Sequence, residues 1–167
     1  MQLQTLNDVL QHELQDLHDA EQQLLEALPK MAQAASNDEL RQAFEHHLEE
    51  TRDHVRRLDE IFGQLGISAS GEPCEGMRGL IREGEKTIGA QGDPAAKDAA
   101  IIAAAQRVEH YEIAAYGTAR TLADELDLDD TQDLLDQTLD EEANADKLLT
   151  KLATGGMLKT GINERAS

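Results

Sequence analysis

Tryptophan is absent from this 167-residue chain, and two tyrosines and two phenylalanines are its only other aromatic rings of the strand-forming kind. Strands draw on aromatic and β-branched side chains to cover a pleated surface, so a sheet-built fold has little to work with. Proline occurs three times and cysteine once. The single thiol, Cys74, has no internal disulfide partner, which fits a reducing compartment. Positive charge is also scarce: 15 Lys and Arg stand against 34 Asp and Glu, for a net charge of -19. A chain so acidic is repelled by nucleic-acid phosphates and by anionic lipid, so neither partner is expected. The opening MQLQTLNDVLQHELQDLHDAE is polar from its first residues and no run is apolar enough to span a bilayer, so neither a secretory leader nor a membrane anchor is expected. The expected compartment is the cytoplasm.

What the chain does have is Ala, Leu, Glu, Asp and Gln, the residues of long helices, with 40% hydrophobic content, enough for one sizeable core. Thr5 with Asp8 predicts the start of a first helix that runs to about Ala35, with Pro29 as a possible kink. Ser36 to Glu39 predicts a turn and a second helix of about 25 residues that ends near Gly63 and Gly66. From Gly63 to Pro94 the chain is rich in glycine, which predicts a crossover connection with a short helix around Met77 to Ile88. Asp93-Pro94 opens a third long helix, ending about Leu126, and Asp127 to Asp130 turns into a fourth, stopped by Gly155-Gly156 about Thr154. Two helical hairpins joined by a long crossover define an all-α, ferritin-like four-helix bundle over residues 1–155, followed by a loose tail over 156–167. The halves also read as a duplication: a shift of 91 places Glu21 on Glu112, and a shift of 92 places Glu50 on Glu142 and His54 on Asp146.

The heptad registers contain acids where packing calls for leucine. In the first helix Leu3, Leu10, Leu17 and Leu24 share one register, and Asn7, Leu14, Glu21 and Leu28 the other. Glu112 falls in register with Ala105, Ala119 and Leu126, with Glu109 one turn earlier, and Glu142 falls between Leu135 and Leu149, with Asp146 one turn later. On the second helix His47 and His54 align with Leu40 and Ile61, with Glu50 at the margin. Arg52, Arg56 and Arg57 are expected to point away from that stripe. A buried ionised carboxylate needs a partner, and cations are the simplest one. The expected ligands are Glu21, Glu50, His54, Glu109, Glu112, Glu142 and Asp146 around two metal ions. Oxygen-rich donors with one imidazole suit iron or manganese, with zinc possible. Six carboxylates would leave two divalent ions short of balance, which predicts a centre that favours the trivalent state. His47 reads as a satisfied core histidine or a neighbour of the ligands, His18 as a candidate ligand or one that orients a ligand, and Tyr116 as core, as a hydrogen-bond partner of a ligand or as a participant in electron transfer.

Three segments, SNDELRQAFEHHLEET, AAIIAAAQRVEHYEIAAYGTARTLA and LLDQTLDEEANAD, resemble the YciE/YciF family of ferritin-like proteins, and the resemblance covers nearly the whole chain. It implies a ferritin-like bundle, a homodimer, a dinuclear iron-type centre and an association with bacterial stress responses. Ferritin-like sites generally use Glu-x-x-His motifs, whereas this chain has Glu50-x-x-x-His54 and Glu142-x-x-x-Asp146. The functions expected are a dimetal oxidoreductase that consumes dioxygen or peroxide, an iron-sequestering protein, or a structural stress protein with a vestigial site.

Overall fold

Each long helix starts on a side chain that accepts an otherwise orphaned backbone N–H. A computed structural model describes residues 3–156 and 159–167. Thr5 and Asp8 form a reciprocal capping box at the start of α1 (Leu6–Ala34), and Asn37 accepts from Leu40 N at the start of α2 (Asp38–Leu65). The Cys74 sulfur accepts from Met77 N at the start of α3 (Glu75–Ile88), and Asp93 accepts from Ala96 N before Pro94 in α4 (Pro94–Glu125). α5 spans Asp129–Thr154. Pro29 does not end α1: it sits on the exposed face, and the helix continues for five more residues. Gly66 closes α2 in the left-handed conformation (φ 66°), which a side chain would strain.

The core divides into two hydrophobic clusters. One joins Leu24–Met31 of α1, Leu40 and Phe44 of α2, Ile101–Val108 of α4 and Leu149 of α5. The other joins Leu10–Leu17, Leu58–Phe62, Tyr116–Ala123 and Leu135 of the same four helices. Read in chain order, α2 and α4 both run from the first cluster to the second, and α1 and α5 run the opposite way. A chain leaving α2 must therefore return along the length of the bundle before α4 begins, and the segment with α3 makes that crossover. α3 lies against α1 and α4, where Cys74 and Met77 are fully buried. Gly76 lets the Tyr111 ring pack close, since a Cβ there would stand 2.8 Å from the ring and displace it.

The end of the chain is more ordered than its glycines predict. Gly155–Gly156 (β1) pairs antiparallel with Lys159–Thr160 (β2), and Ile162–Arg165 forms a short helix, α6, with Ile162 buried in the core. Apolar burial of one isoleucine holds a segment that the sequence reads as loose. The part of that reading which falls on residues 157 and 158 lies outside the described residues. Among the described residues no helix is long and apolar enough to cross a membrane.

Candidate metal centre

The layer between the two hydrophobic clusters is polar. Glu21, His54, Glu112 and Glu142 are fully buried there, and Glu109 and His47 are 3% and 5% exposed. All six occupy helix faces that otherwise carry Leu, Ile and Ala, so the packing that buries those apolar neighbours carries the charged groups inward. They form two groupings with ligand atoms within 4.8 Å of one another: Glu21, His54 and Glu142, and His47, Glu109, Glu112 and Glu142. Glu142 belongs to both.

The imidazoles present one nitrogen inward and anchor the other. His54 Nδ1 lies 3.0 Å from Glu142 Oε1 and 3.2 Å from Glu21 Oε1, without hydrogen-bond alignment to either. Its Nε2 donates to Glu141 Oε2 at 2.9 Å, and Arg57 grips both oxygens of Glu141 at 2.5 and 2.9 Å. His47 Nε2 lies 3.6 Å from both Glu109 Oε2 and Glu142 Oε2, while its Nδ1 donates to Glu50 Oε2 at 3.3 Å. Tyr116 donates its hydroxyl proton to Glu21 Oε1 at 2.6 Å.

Protonation in the metal-free cluster follows from this crowding. Burial pushes both imidazoles down, but the surrounding carboxylates outweigh it and hold His47 up at about 10 and His54 at about 12. Burial and the neighbouring carboxylates push Glu112 well above the usual carboxylate range, and burial does the same to Glu109 against the pull of His47. Glu142 stays below that range despite its burial, because both imidazoles face it. Glu141, also opposed by burial, is held down at about 2 by His54 and Arg57.

Five expected ligands, Glu21, His54, Glu109, Glu112 and Glu142, therefore meet in one layer. Glu50 and Asp146 stand at its edge. A residue four places along a helix is rotated by about 40° from its predecessor, enough to carry it off the seam. Asp146 accordingly faces α4, where it accepts from Gln106 Nε2 at 2.9 Å and lies 3.5 Å from His110 Nε2. Glu50, its side chain 25% exposed, lies between His46 and His47. The equivalence of Glu50 with Glu142 across the two halves does not extend to burial, since Glu142 is fully enclosed. His47 is not a satisfied core histidine: it joins the carboxylates with its Nε2 unpartnered. His18 pairs with Asp59 at 3.0 Å instead of approaching the cluster. Arg57 does not point away; its long stem reaches α5 from the margin of α2. Glu141, which the sequence reading passed over, lies next to Glu142 on the partly exposed side of α5, where no heptad signal marks it.

A helical bundle of two hairpins joined by a long crossover, with a buried His–carboxylate cluster at mid-length, defines a ferritin-like protein whose core could hold a metal ion. The chain belongs to the family described as a domain of unknown function, DUF892, whose model matches residues 5–165. It is 43% identical to Protein YciF of Escherichia coli K12 over 165 residues, which is 98% of this chain and 99% of that one. The crystal structure of the E. coli stress protein YciF superposes with a TM-score of 0.90, covering 95% of this chain and 100% of the other. YcfI of Rhodopseudomonas palustris, a candidate structural protein by its description, is 47% identical with a TM-score of 0.87 over 90% of this chain and 96% of its own.

Proposed function

We propose that this protein is a dimetal-carboxylate protein of the bacterial stress response, holding two ions, iron first, in the layer between the hydrophobic clusters. Glu21, His54 and Glu142 would hold one ion and His47, Glu109, Glu112 and Glu142 the other, with Glu142 shared. Glu50 and Asp146, expected as ligands from the sequence, would act from the rim. The observation that carries this reading is a set of eight buried polar atoms without hydrogen-bond partners, on those six side chains alone among the described residues. Unpartnered atoms in such number are rare in a native core and point to an ion. Carboxylate oxygens and imidazole nitrogens are the donors that iron and manganese take, and zinc is also accommodated.

Bound iron would supply redox chemistry toward dioxygen or peroxide. The protein's own part is orientation. Arg57 and Glu141 fix the ring of His54, Glu50 fixes that of His47, and Tyr116 holds one oxygen of Glu21. Four buried carboxylates belong to this layer: Glu21, Glu109, Glu112 and Glu142. Two divalent ions balance four such charges, so the preference for a trivalent pair expected from six carboxylates loses its basis.

A second reading, a structural stress protein, is favoured by one observation. In the metal-free cluster, His47 and His54 are held up at about 10 and about 12 and Glu109 and Glu112 well above the usual carboxylate range, so protons offset much of the layer's negative charge. The description of the R. palustris relative points the same way. Protons let Glu109 bond Glu142 and let His54 bond Glu142 and Glu21, but both oxygens of the fully buried Glu112 stay without a partner, so the dimetal reading is preferred. Metal analysis of protein purified without added metal decides between the two. About two ions per chain, with a melting temperature lowered by chelation, is expected, because a ligand bound only to the folded state must stabilise it. Fewer than about one ion per chain, with no change on chelation, leaves the structural reading. Oxidation turnover separates an oxidase from an iron-sequestering protein. Pairing of two copies, implied by the family resemblance, is tested by light scattering.

A further inference from the structure

The cluster is not sealed. Between α2 and α5 a cavity of about 110 Å³ runs inward from the surface. Its mouth holds His46, 72% exposed, paired with Glu50 at 3.2 Å. Its inner end holds His47 and Glu109, whose side chains are 6% and 4% exposed and whose inward atoms are unpartnered. Ala43, Phe44, Ala145 and Leu149 make the rest of its wall largely apolar, with the exposed Leu148 and Asn144 toward the mouth. The cavity thus joins solvent to one grouping of the cluster, and Glu21 and His54 of the other grouping do not line it.

Its size and lining select what can use it. Apolar cavities of about 150 Å³ take benzene or xenon, so a space of about 110 Å³ admits a molecule of only a few heavy atoms. Hydrocarbon walls strip the hydration of any ion that enters, at a cost they do not return. The surrounding charge of -19 further disfavours an anion. A small, neutral, weakly hydrated molecule meets none of these penalties.

We propose that this pocket is a dioxygen-binding antechamber that delivers dioxygen to the His47–Glu109 side of the centre. It rests on the dimetal reading above, and the test is arranged to separate the two. Crystals of the metal-free protein under xenon should show a xenon peak between Phe44 and Leu149, because apolar cavities of this size take up xenon. Ala145→Phe should fill the pocket and remove that peak. Leu148→Trp, at a side chain 41% exposed, obstructs the mouth with less demand on packing. Anaerobic protein loaded with Fe(II) is then mixed with dioxygen-saturated buffer and its oxidation followed by absorbance. Both variants should bind the same amount of Fe(II) as the parent and oxidise it at least ~10-fold more slowly. Equal iron content with equal rates, or xenon found elsewhere and not here, overturns the antechamber and leaves the metal centre standing. Failure of the parent to bind Fe(II) overturns the dimetal reading, and the antechamber with it.

Discussion

At the scale of the residue, Glu142 is the side chain on which both groupings depend, since it is the only one common to them. Glu142→Gln removes the charge and keeps the volume. It is expected to abolish binding of both ions, whereas Glu21→Gln should weaken one of the two and leave the other near its parent affinity. Calorimetric titration with Fe(II) or Mn(II) reads both stoichiometries; two ions of undiminished affinity in Glu142→Gln would remove it as the shared ligand. The Arg57–Glu141–His54 chain makes a related claim about a residue that touches no ion. Glu141 holds the far nitrogen of His54 at 2.9 Å, and such partners set ring orientation and basicity. Glu141→Ala should therefore cost about 10- to 100-fold in metal affinity while leaving the ion count at saturation unchanged. An affinity equal to the parent's would mean that packing alone orients the ring.

At the scale of the element, the turn between α1 and α2 is held from outside itself. Asp98, in the first turns of α4 and 2% exposed, accepts from Ser36 N and Asn37 N, each at 2.8 Å. One buried carboxylate thereby fastens the start of the second hairpin to the bend of the first. Asp98→Ala leaves both amides without that acceptor and should lower stability by about 2–3 kcal/mol, the range for losing charge-assisted hydrogen bonds. Denaturant unfolding measures it, and a loss under about 0.5 kcal/mol, the level of an ordinary surface change, would show the turn to be self-sufficient. This contact also marks where sequence reading stops. Helix bounds, the crossover and the polar seam were legible because capping residues and a seven-residue period are local signals. The tie from Asp98 to a turn about sixty residues away has no local signal, and neither does the burial of Ile162 beyond two glycines. The centre was legible in part for the same reason. Seam positions expose Glu21, Glu112 and Glu142 as misfits, but a seam does not distinguish a packed histidine from one that, like His47, turns an unpartnered nitrogen toward carboxylates. The same one-dimensional view placed Asp146 on the ligating face, while in three dimensions Gln106 of the neighbouring helix claims it.

At the scale of the whole molecule, the polar layer divides an otherwise continuous core, so protons and ions compete for its stability. The sign follows from the direction of each displaced titration. His47 and His54, held at about 10 and about 12, lie above the ordinary histidine value of about 6.5. Their contribution is fully present below pH 6.5 and is lost as pH rises toward those folded values. Glu109 and Glu112, raised by burial, keep protons that the unfolded chain releases above about pH 4.5, so they too make the metal-free fold weaker as pH rises. Glu141, held down at about 2, acts in the other direction, but its window lies below about pH 4.5. Between pH 5.5 and pH 8.5 the metal-free protein should therefore lose stability with rising pH, by ~5 °C or more in melting temperature for a chain of this size. Metal reverses the trend, because the ligands must shed the same protons to bind it, and ion affinity rises with pH. The gap between the metal-loaded and chelated melting temperatures should thus be small at pH 5.5 and large at pH 8.5. Parallel melting curves across that range, with a constant gap, would mean that ions bind outside the proton-bearing layer, and would count against Glu109, Glu112, His47 and His54 as ligands.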